Sequence, residues 1–440
     1  MQNLNNRIII FIGKLADYFI KFLSLGAGST WPGHIVLFLN KNFIQEVLRK
    51  SKVKIILVAG TNGKTTTSTM LRYLLEKQNK KVFQNEEGAN LLNGIASSLV
   101  KNASFFGIFN YDYAIFEVDE NTLPLALTEI KPVIVILLNL FRDQLDRYGE
   151  VNTIALKWKK SLEMLPKETR VVLNGDDPQI KYLGESLKAK VYYFGVDQSL
   201  MEKNEIPHDV DSIYCLKCGS KLTYQGISYS HLGNYLCNNC GFRKPKTESF
   251  VGKNIVYPLK GVYNIYNTNA VILVLTCILN VGLDKVKKSL ELFKPAFGRQ
   301  EVIDYQGKKI HLLLSKNPAG FNQSIEVSRE IYKDGKVGVL IVLNDRIPDG
   351  RDISWIWDVD FEKLKDFHGY KKGLQIVVSG DRVYDMALRL KYAEINNVIP
   401  EENLVRAIQK NIIQTDEIVV LTTYTGMLDV RKILLGRKLL

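Results

Sequence analysis

The chain has 440 residues, of which 46% are hydrophobic and 24% charged, with 59 Lys+Arg against 46 Asp+Glu and a net charge of +13. That balance is expected of a soluble globular protein with ample core, and it excludes disordered, collagenous and membrane-embedded chains. Five cysteines are too few for a disulfide scaffold of this size, and the length calls for two or three domains, because single cores stop growing near roughly 250–300 residues. The basic excess keeps nucleic acid and anionic surfaces open as partners.

Residues 1–52 are expected to form an N-terminal arm. Ile8, Phe11, Ile12, Leu15, Phe19, Phe22 and Leu23 follow helical spacing, with Arg7, Lys14, Asp17 and Lys21 elsewhere on the wheel. The apolar run is too short for a secretory signal or for a span, which needs about 20 residues. With seven Lys or Arg against two Asp or Glu in the arm, peripheral contact with an anionic membrane is one reading. Packing of this face on the protein itself is the commoner one.

Lys54–Ala59 is a short β-branched apolar run, the pattern of a buried parallel strand. It leads into Gly60-Thr61-Asn62-Gly63-Lys64-Thr65-Thr66, and the helical pattern of Met70, Leu71, Leu74 and Leu75 follows. A Gly-rich turn between strand and helix lets backbone N–H groups approach phosphate oxygens. Lys64 then supplies a point charge and Thr65 a hydroxyl for Mg²⁺. Only two residues separate Gly60 from Gly63, where the general phosphate loop has four. This form resembles the Mur ligase superfamily, which includes folylpolyglutamate synthase.

The resemblance continues in order along the chain. Tyr113–Val118 is a strand ending in Glu117, Asp119 and Glu120, hard oxygen ligands beside the phosphate loop; Glu117 matches the family's magnesium-binding Glu. Asn139-Leu140-Phe141-Arg142-Asp143-Gln144-Leu145-Asp146 is similar to the family segment in which a His binds magnesium, with Gln144 in its place. Lys157 falls where many relatives carry a carbamylated lysine, although Lys159 and Lys160 are close by and a basic helix face explains the cluster equally well. Asn264 and Asn267 resemble the family's adenine-side asparagines, and Gly298-Arg299-Gln300-Glu301 its Gly-Arg-x-Glu segment. By this resemblance Gly60, Thr61, Asn62, Gly63, Lys64, Thr65, Thr66, Asn267 and Arg299 bind ATP, and Thr65, Glu117 and Gln144 bind Mg²⁺.

Cys215-x-x-Cys218 and Cys237-x-x-Cys240, each followed by Gly, have the spacing of a four-cysteine zinc ribbon. Four thiolates close a tetrahedral sphere, so Zn²⁺ there is structural. Cys277 lies in an apolar helical pattern and is expected to be core. The ribbon's cations and aromatics admit a different class, a nucleic-acid-binding ATPase; in so small an insertion the aromatics are expected to be structural, and nucleic acid is not the expected partner.

The C-terminal part has strand-end loops rich in Asp, Asn and Gly: Ser315-Lys316-Asn317, Asn344–Asp352 and Ser379-Gly380-Asp381. Only 59 residues precede Gly60, too few for the UDP-binding domain with which amide-forming Mur ligases usually begin. With the ribbon, Gly28–Gly33 and Asp143-Gln144, these loops resemble the Mur-ligase-like subunits of lipid II isoglutaminyl synthases over nearly the whole chain. The resemblance implies a cytoplasmic ligase of peptidoglycan biosynthesis, on or near the inner membrane face, that amidates the D-glutamate α-carboxyl of lipid II with ATP. Ammonia would come from a GatD-like glutamine amidotransferase in a heteromeric complex. Asp349, or Asp352 three residues on, would complete that partner's Cys–His pair, and Lys64 and Glu117 would carry the ligase chemistry. A Mur-type amino-acid ligase, as in polyglutamylation, is the alternative. The expected fold is α/β: an arm (1–52), a central P-loop domain with a parallel sheet (53–300, ribbon insertion about 205–250) and a second α/β domain (301–440) facing the partner.

Overall fold

Strands buried on both faces of a parallel sheet need near-continuous apolar runs, and six such runs build the first sheet: β1 (Lys54–Ala59), β2 (Val82–Gln84), β3 (Tyr113–Val118), β4 (Ile134–Leu137), β5 (Arg170–Asn174) and β6 (Lys190–Phe194). The computed structural model describes residues 5–22, 30–85, 88–142, 151–201, 211–250, 253–294, 299–331, 337–366 and 376–436, without the side chains of Arg299 and Gln414. The sheet runs β2-β3-β1-β4-β5-β6 and is parallel throughout. Alternate β1 residues divide between two cores. Ile55, Leu57 and Ala59 meet the helices Phe43–Arg49, Leu92–Asn102 and Val151–Leu162. Ile56 and Val58 meet Lys64–Glu76 and Val262–Leu273. At β1 the strand order reverses, and in such sheets ligands bind beyond the carboxyl ends at that point.

Between β6 and the helix Val262–Leu273 lies a hairpin, β7 (Thr223–Tyr229) and β8 (Leu232–Leu236), flanked by the two Cys pairs. The second sheet comprises β9 (Arg299–Tyr305), β10 (Lys308–Leu314), β11 (Val337–Val342), β12 (Ile376–Ser379), β13 (Val398–Pro400) and β14 (Glu417–Thr422). Its order is β13-β12-β11-β14-β10-β9, parallel except for the antiparallel edge strand β9.

Two expectations are corrected. The helix Asn6–Phe22 does pack on the protein, but through Ile9, Ile10 and Gly13, while Ile8, Phe11, Leu15, Phe19 and Phe22 are exposed. A Cβ at Gly13 would lie 2.8 Å from Val36 and 2.9 Å from Val100; the missing side chain admits the close approach, so the glycine-bearing side turns inward. Cys277 is exposed, because Val262–Leu273 continues as a π-helical turn over Val274–Ile278. The extra residue of that turn rotates Cys277 off the buried stripe that ends at Leu275.

Candidate active site

The phosphate loop is held rigidly before any ligand is considered. Asn139, just past β4, accepts from Asn62 N at 2.8 Å through Oδ1 and donates to Asn62 O at 3.0 Å through Nδ2. Thr61 Oγ1 accepts from Phe141 N at 3.0 Å and donates to Phe141 O at 3.2 Å. Gly63 lies in the left-handed region (φ 88°), and a Cβ there would fall 2.2 Å from Asn267 Oδ1; only glycine meets both conditions. Lys64 opens the helix Lys64–Glu76, where a cation and the helix N-terminus both favour an anion. Its Nζ donates to Gly60 O at 2.5 Å and Thr61 O at 3.1 Å and lies 4.0 Å from Glu120 Oε2.

The three carboxylates at the end of β3 divide their work. Asp119 Oδ1 accepts from Thr122 N at 2.7 Å and turns the chain into the next helix. Glu117 is pinned by two hydrogen bonds of its backbone to the Asn85 amide, both 2.9 Å. Its carboxyl is 4% exposed, and among the described residues Oε2 has no hydrogen-bond partner. A buried carboxylate oxygen left so is costly unless a cation meets it. With Thr65 at the adjoining helix start, this donor set fits a hard divalent ion such as Mg²⁺. At Glu120, burial pushes the carboxyl up, but the positive charges of Lys64 and Lys316 outweigh it and hold the group below its ordinary value.

Lys316, just past β10, brings positive charge from the C-terminal domain into the electrostatics of Glu120. Beside it, Asn317 Nδ2 donates to Asn62 Oδ1 at 3.0 Å, and Asn62 Nδ2 to Asn317 Oδ1 at 3.3 Å. A cleft opens here between the sheets, lined by Asn62, Gly63, Thr66, Tyr263, Asn264 and Gln300 among others. The sequence alone gives Lys316 and Asn317 no role at the nucleotide site. Their only signal was a polar run at a strand end.

Of the expected site residues, the 60–66 loop, Glu117 and Asn267 converge. Gln144 and the Arg299 side chain lie outside the described residues. Lys157 is exposed, and its helix instead presents Trp158, whose Nε1 donates to Glu120 O at 2.7 Å. The carbamylated-lysine expectation therefore finds no support, because Lys157 faces away from the buried Ala155–Trp158 side.

All four cysteine Sγ atoms of the insertion lie within 4.8 Å of one another, a donor set suited to one tetrahedral ion. The two knuckles are alike: Gly219 N and Gly241 N donate to Cys215 O and Cys237 O, and both glycines have positive φ. Tyr235, Leu222 and Phe242 form a small core. Tyr235 OH docks the ribbon to Gly175 O at 3.1 Å, and Lys244 Nζ lies 2.8 Å from Asp176 Oδ1. Asp176 Oδ2 accepts from Tyr266 OH at 2.8 Å, one residue from Asn267. Burial pushes the Asp176 carboxyl up, against Lys244.

The second sheet has its own polar cluster beyond β11, β12 and β14. Asp349, 3% exposed, accepts from Thr425 N at 2.8 Å and from the Thr425 hydroxyl, capping the helix Tyr424–Leu435. Burial pushes its carboxyl up, against these bonds and Arg346. Asp352 is exposed and accepts from Ser354 N at 2.8 Å.

A short phosphate loop, carboxylates at the end of the neighbouring strand and a second α/β domain meeting that loop define a Mur-type ATP-dependent ligase. The family model for the Mur ligase middle domain matches residues 58–275, and that for the MurT ligase C-terminal domain residues 314–427. The chain is 31% identical over 418 residues to the lipid II isoglutaminyl synthase (glutamine-hydrolyzing) subunit MurT of Staphylococcus aureus, covering 91% of each. It is 30% identical over 458 residues to the Streptococcus pneumoniae MurT subunit, covering 100% of this chain and 99% of that one. The chain belongs to the MurT family of Mur ligases. The fold is shared more widely. A pseudomurein peptide ligase type C from Methanothermus fervidus aligns with TM-score 0.63 at 22% identity, over 89% of this chain and 80% of that one. Mycobacterium tuberculosis folylpolyglutamate synthase aligns with TM-score 0.60 at 14% identity, over 90% and 94%.

Proposed function

We propose that this chain is the ATP-consuming subunit of a lipid II isoglutaminyl synthase, converting the D-glutamate α-carboxyl of the stem peptide to the amide of D-isoglutamine. The observation that carries it is the full-length match to MurT subunits, joined to a phosphate-loop cleft that the matched C-terminal domain completes with Lys316 and Asn317. The substrate carboxylate attacks the γ-phosphorus, the bond to the bridging oxygen breaks, and ADP leaves. Ammonia then attacks the acyl carbon, inorganic phosphate departs, and the nitrogen loses a proton to give the amide. The residues contribute by positioning and by neutralising charge, which carry most of such transfers. The loop amides and Lys64 hold the phosphates, and Lys316 adds positive charge from the C-terminal domain. Thr65, Glu117 and Gln144 would hold Mg²⁺, which supplies charge neutralisation at the phosphate oxygens when bound. Asn267 and Arg299 are assigned to the nucleotide. The four cysteines would hold Zn²⁺ as a structural ion.

Ammonia is assigned to a GatD-like glutaminase partner. Cys277, although exposed, contacts Thr276 Oγ1 at 3.6 Å, and among the described residues no histidine pairs with it. The turn carrying Asp349 and Asp352 also bares Ile347, 75% exposed, as suits a surface that a partner covers. A carboxylate there would orient the partner's His, as in a triad: Asp349 by our assignment, with Asp352 as the more accessible rival. The test is to purify the chain with its glutaminase, add ATP, glutamine and lipid II, and weigh the product. A hydroxyl exchanged for an amide supports the proposal; an added residue moves the chain to the amino-acid ligases. In the same assay Asp349→Asn and Asp352→Asn should separate. The residue that serves the partner loses glutamine hydrolysis while ATP binding is retained.

A further inference from the structure

The helix Asn6–Phe22 is built for two surroundings at once. Its Ile9, Ile10 and Gly13 side is sealed against the protein. At about 100° per residue, Tyr18, Phe11, Phe22, Leu15, Ile8 and Phe19 fall on one continuous outer face, and each is at least 45% exposed. Arg7, Lys14 and Lys21 recur every seven residues, which aligns them along one edge of that face. Beside this edge stands a tight turn. Gly107 N donates to Ser104 O at 2.9 Å, Ser104 N to Ile108 O at 2.8 Å and Ile108 N to Ser104 Oγ at 3.0 Å. Phe105 and Phe106 at its tip are thereby held 66% and 69% exposed. Turn and helix are joined, since Lys14 Nζ lies 5.5 Å from the Phe105 ring centre and a Cβ at Gly107 would meet Ile10 at 3.3 Å. Asp17, the acid of the helix, is paired with Lys21 at 2.7 Å and Lys101 at 3.4 Å, so one acid stands against Arg7, Lys14, Lys21 and Lys101 and the edge keeps a net positive charge.

An apolar face of this size on a fixed element is costly in water and marks an interaction surface. Aromatic and aliphatic side chains lying in a plane, edged by basic residues, complement hydrocarbon beneath acidic headgroups. We infer that the outer face of Asn6–Phe22 and the Ser104–Ile108 turn together form a docking surface for an anionic lipid bilayer. The inference uses neither the ATP site nor the amidation reading.

The experiment is co-sedimentation of the full-length, zinc-loaded protein with vesicles of phosphatidylglycerol and phosphatidylcholine, or of phosphatidylcholine alone. Both are free of peptidoglycan precursor, so the outcome is independent of the ligase substrate. The wild type should partition onto the anionic vesicles and much less onto the neutral ones. Phe105→Ser/Phe106→Ser should weaken partitioning about tenfold or more, since two buried aromatic side chains are lost. Arg7→Gln/Lys21→Gln should weaken it and flatten its salt dependence. ATP binding measured on each variant checks the fold. Absence of partitioning by the wild type, or partitioning unchanged in the Phe variant, overturns the inference. So does a wild-type dimer that the Phe variant converts to monomer, because a second copy would then cover the face.

Discussion

Lys64 and Glu120 form the pair on which the phosphate site turns. The lysine lies curled over its own loop, bonded to two carbonyls and near the carboxylate. Replacing it with Ala should reduce ATP-dependent amidation by about 10²-fold or more, the usual loss when a preorganised charge at a reacting centre is removed. Denaturation should stay cooperative, and single-turnover kinetics beside a melting curve checks both. For Glu120 the sign is set by its depressed folded value. Its ionised form contributes stability above the ordinary Glu value, and that contribution is lost as the pH falls through the lowered folded value. The stability gap between wild type and Glu120→Gln should therefore close on acidification. Urea titrations along a descending pH series would show it, and a gap that widened would mean the carboxyl folds protonated.

Among the elements, those that carry their own physics were legible in the sequence. β1, β3 and β4 announce themselves as apolar runs ending in polar loops, and the ribbon through paired Cys-x-x-Cys-Gly. What depended on a partner element was not. Whether Asn6–Phe22 buries Phe11 or Ile10 is decided by the small Gly13 fitting against Val36 and Val100, and Cys277 is moved outward by a π turn. Asn317 meets Asn62 only because two sheets come together. The ribbon makes the strongest element-scale forecast. Structural zinc sites contribute about 10–16 kcal/mol in isolated fingers, so the purified chain should hold about one zinc. Chelation, or Cys237→Ser, should release β7–β8, readable as loss of amide protection over 223–236. Tyr235–Gly175 and Lys244–Asp176 would go with it, leaving Asp176 buried without its cation. Nucleotide affinity should fall as well, through Tyr266 and the adjacent Asn267. An apo protein with intact protection would contradict this.

At the scale of the whole molecule, the ends of two sheets face one cleft, and Asn62 and Asn317 exchange hydrogen bonds across it. Asn62→Ala and Asn317→Ala should be non-additive in ATP affinity, with a coupling of about 0.5–3 kcal/mol; additive losses would mean that the two amides do not act as one contact. A separate restriction follows from the meeting of Gly63 with Asn267. Any side chain at position 63 fails on two unrelated counts, backbone conformation and collision. Shortening Asn267 relieves only the second, so no paired change between the loop and the helix Val262–Leu273 restores tolerance. In a saturation library selected for activity, position 63 should therefore stay fixed even in backgrounds that admit changes at 267. The loop can be altered around that glycine but not through it.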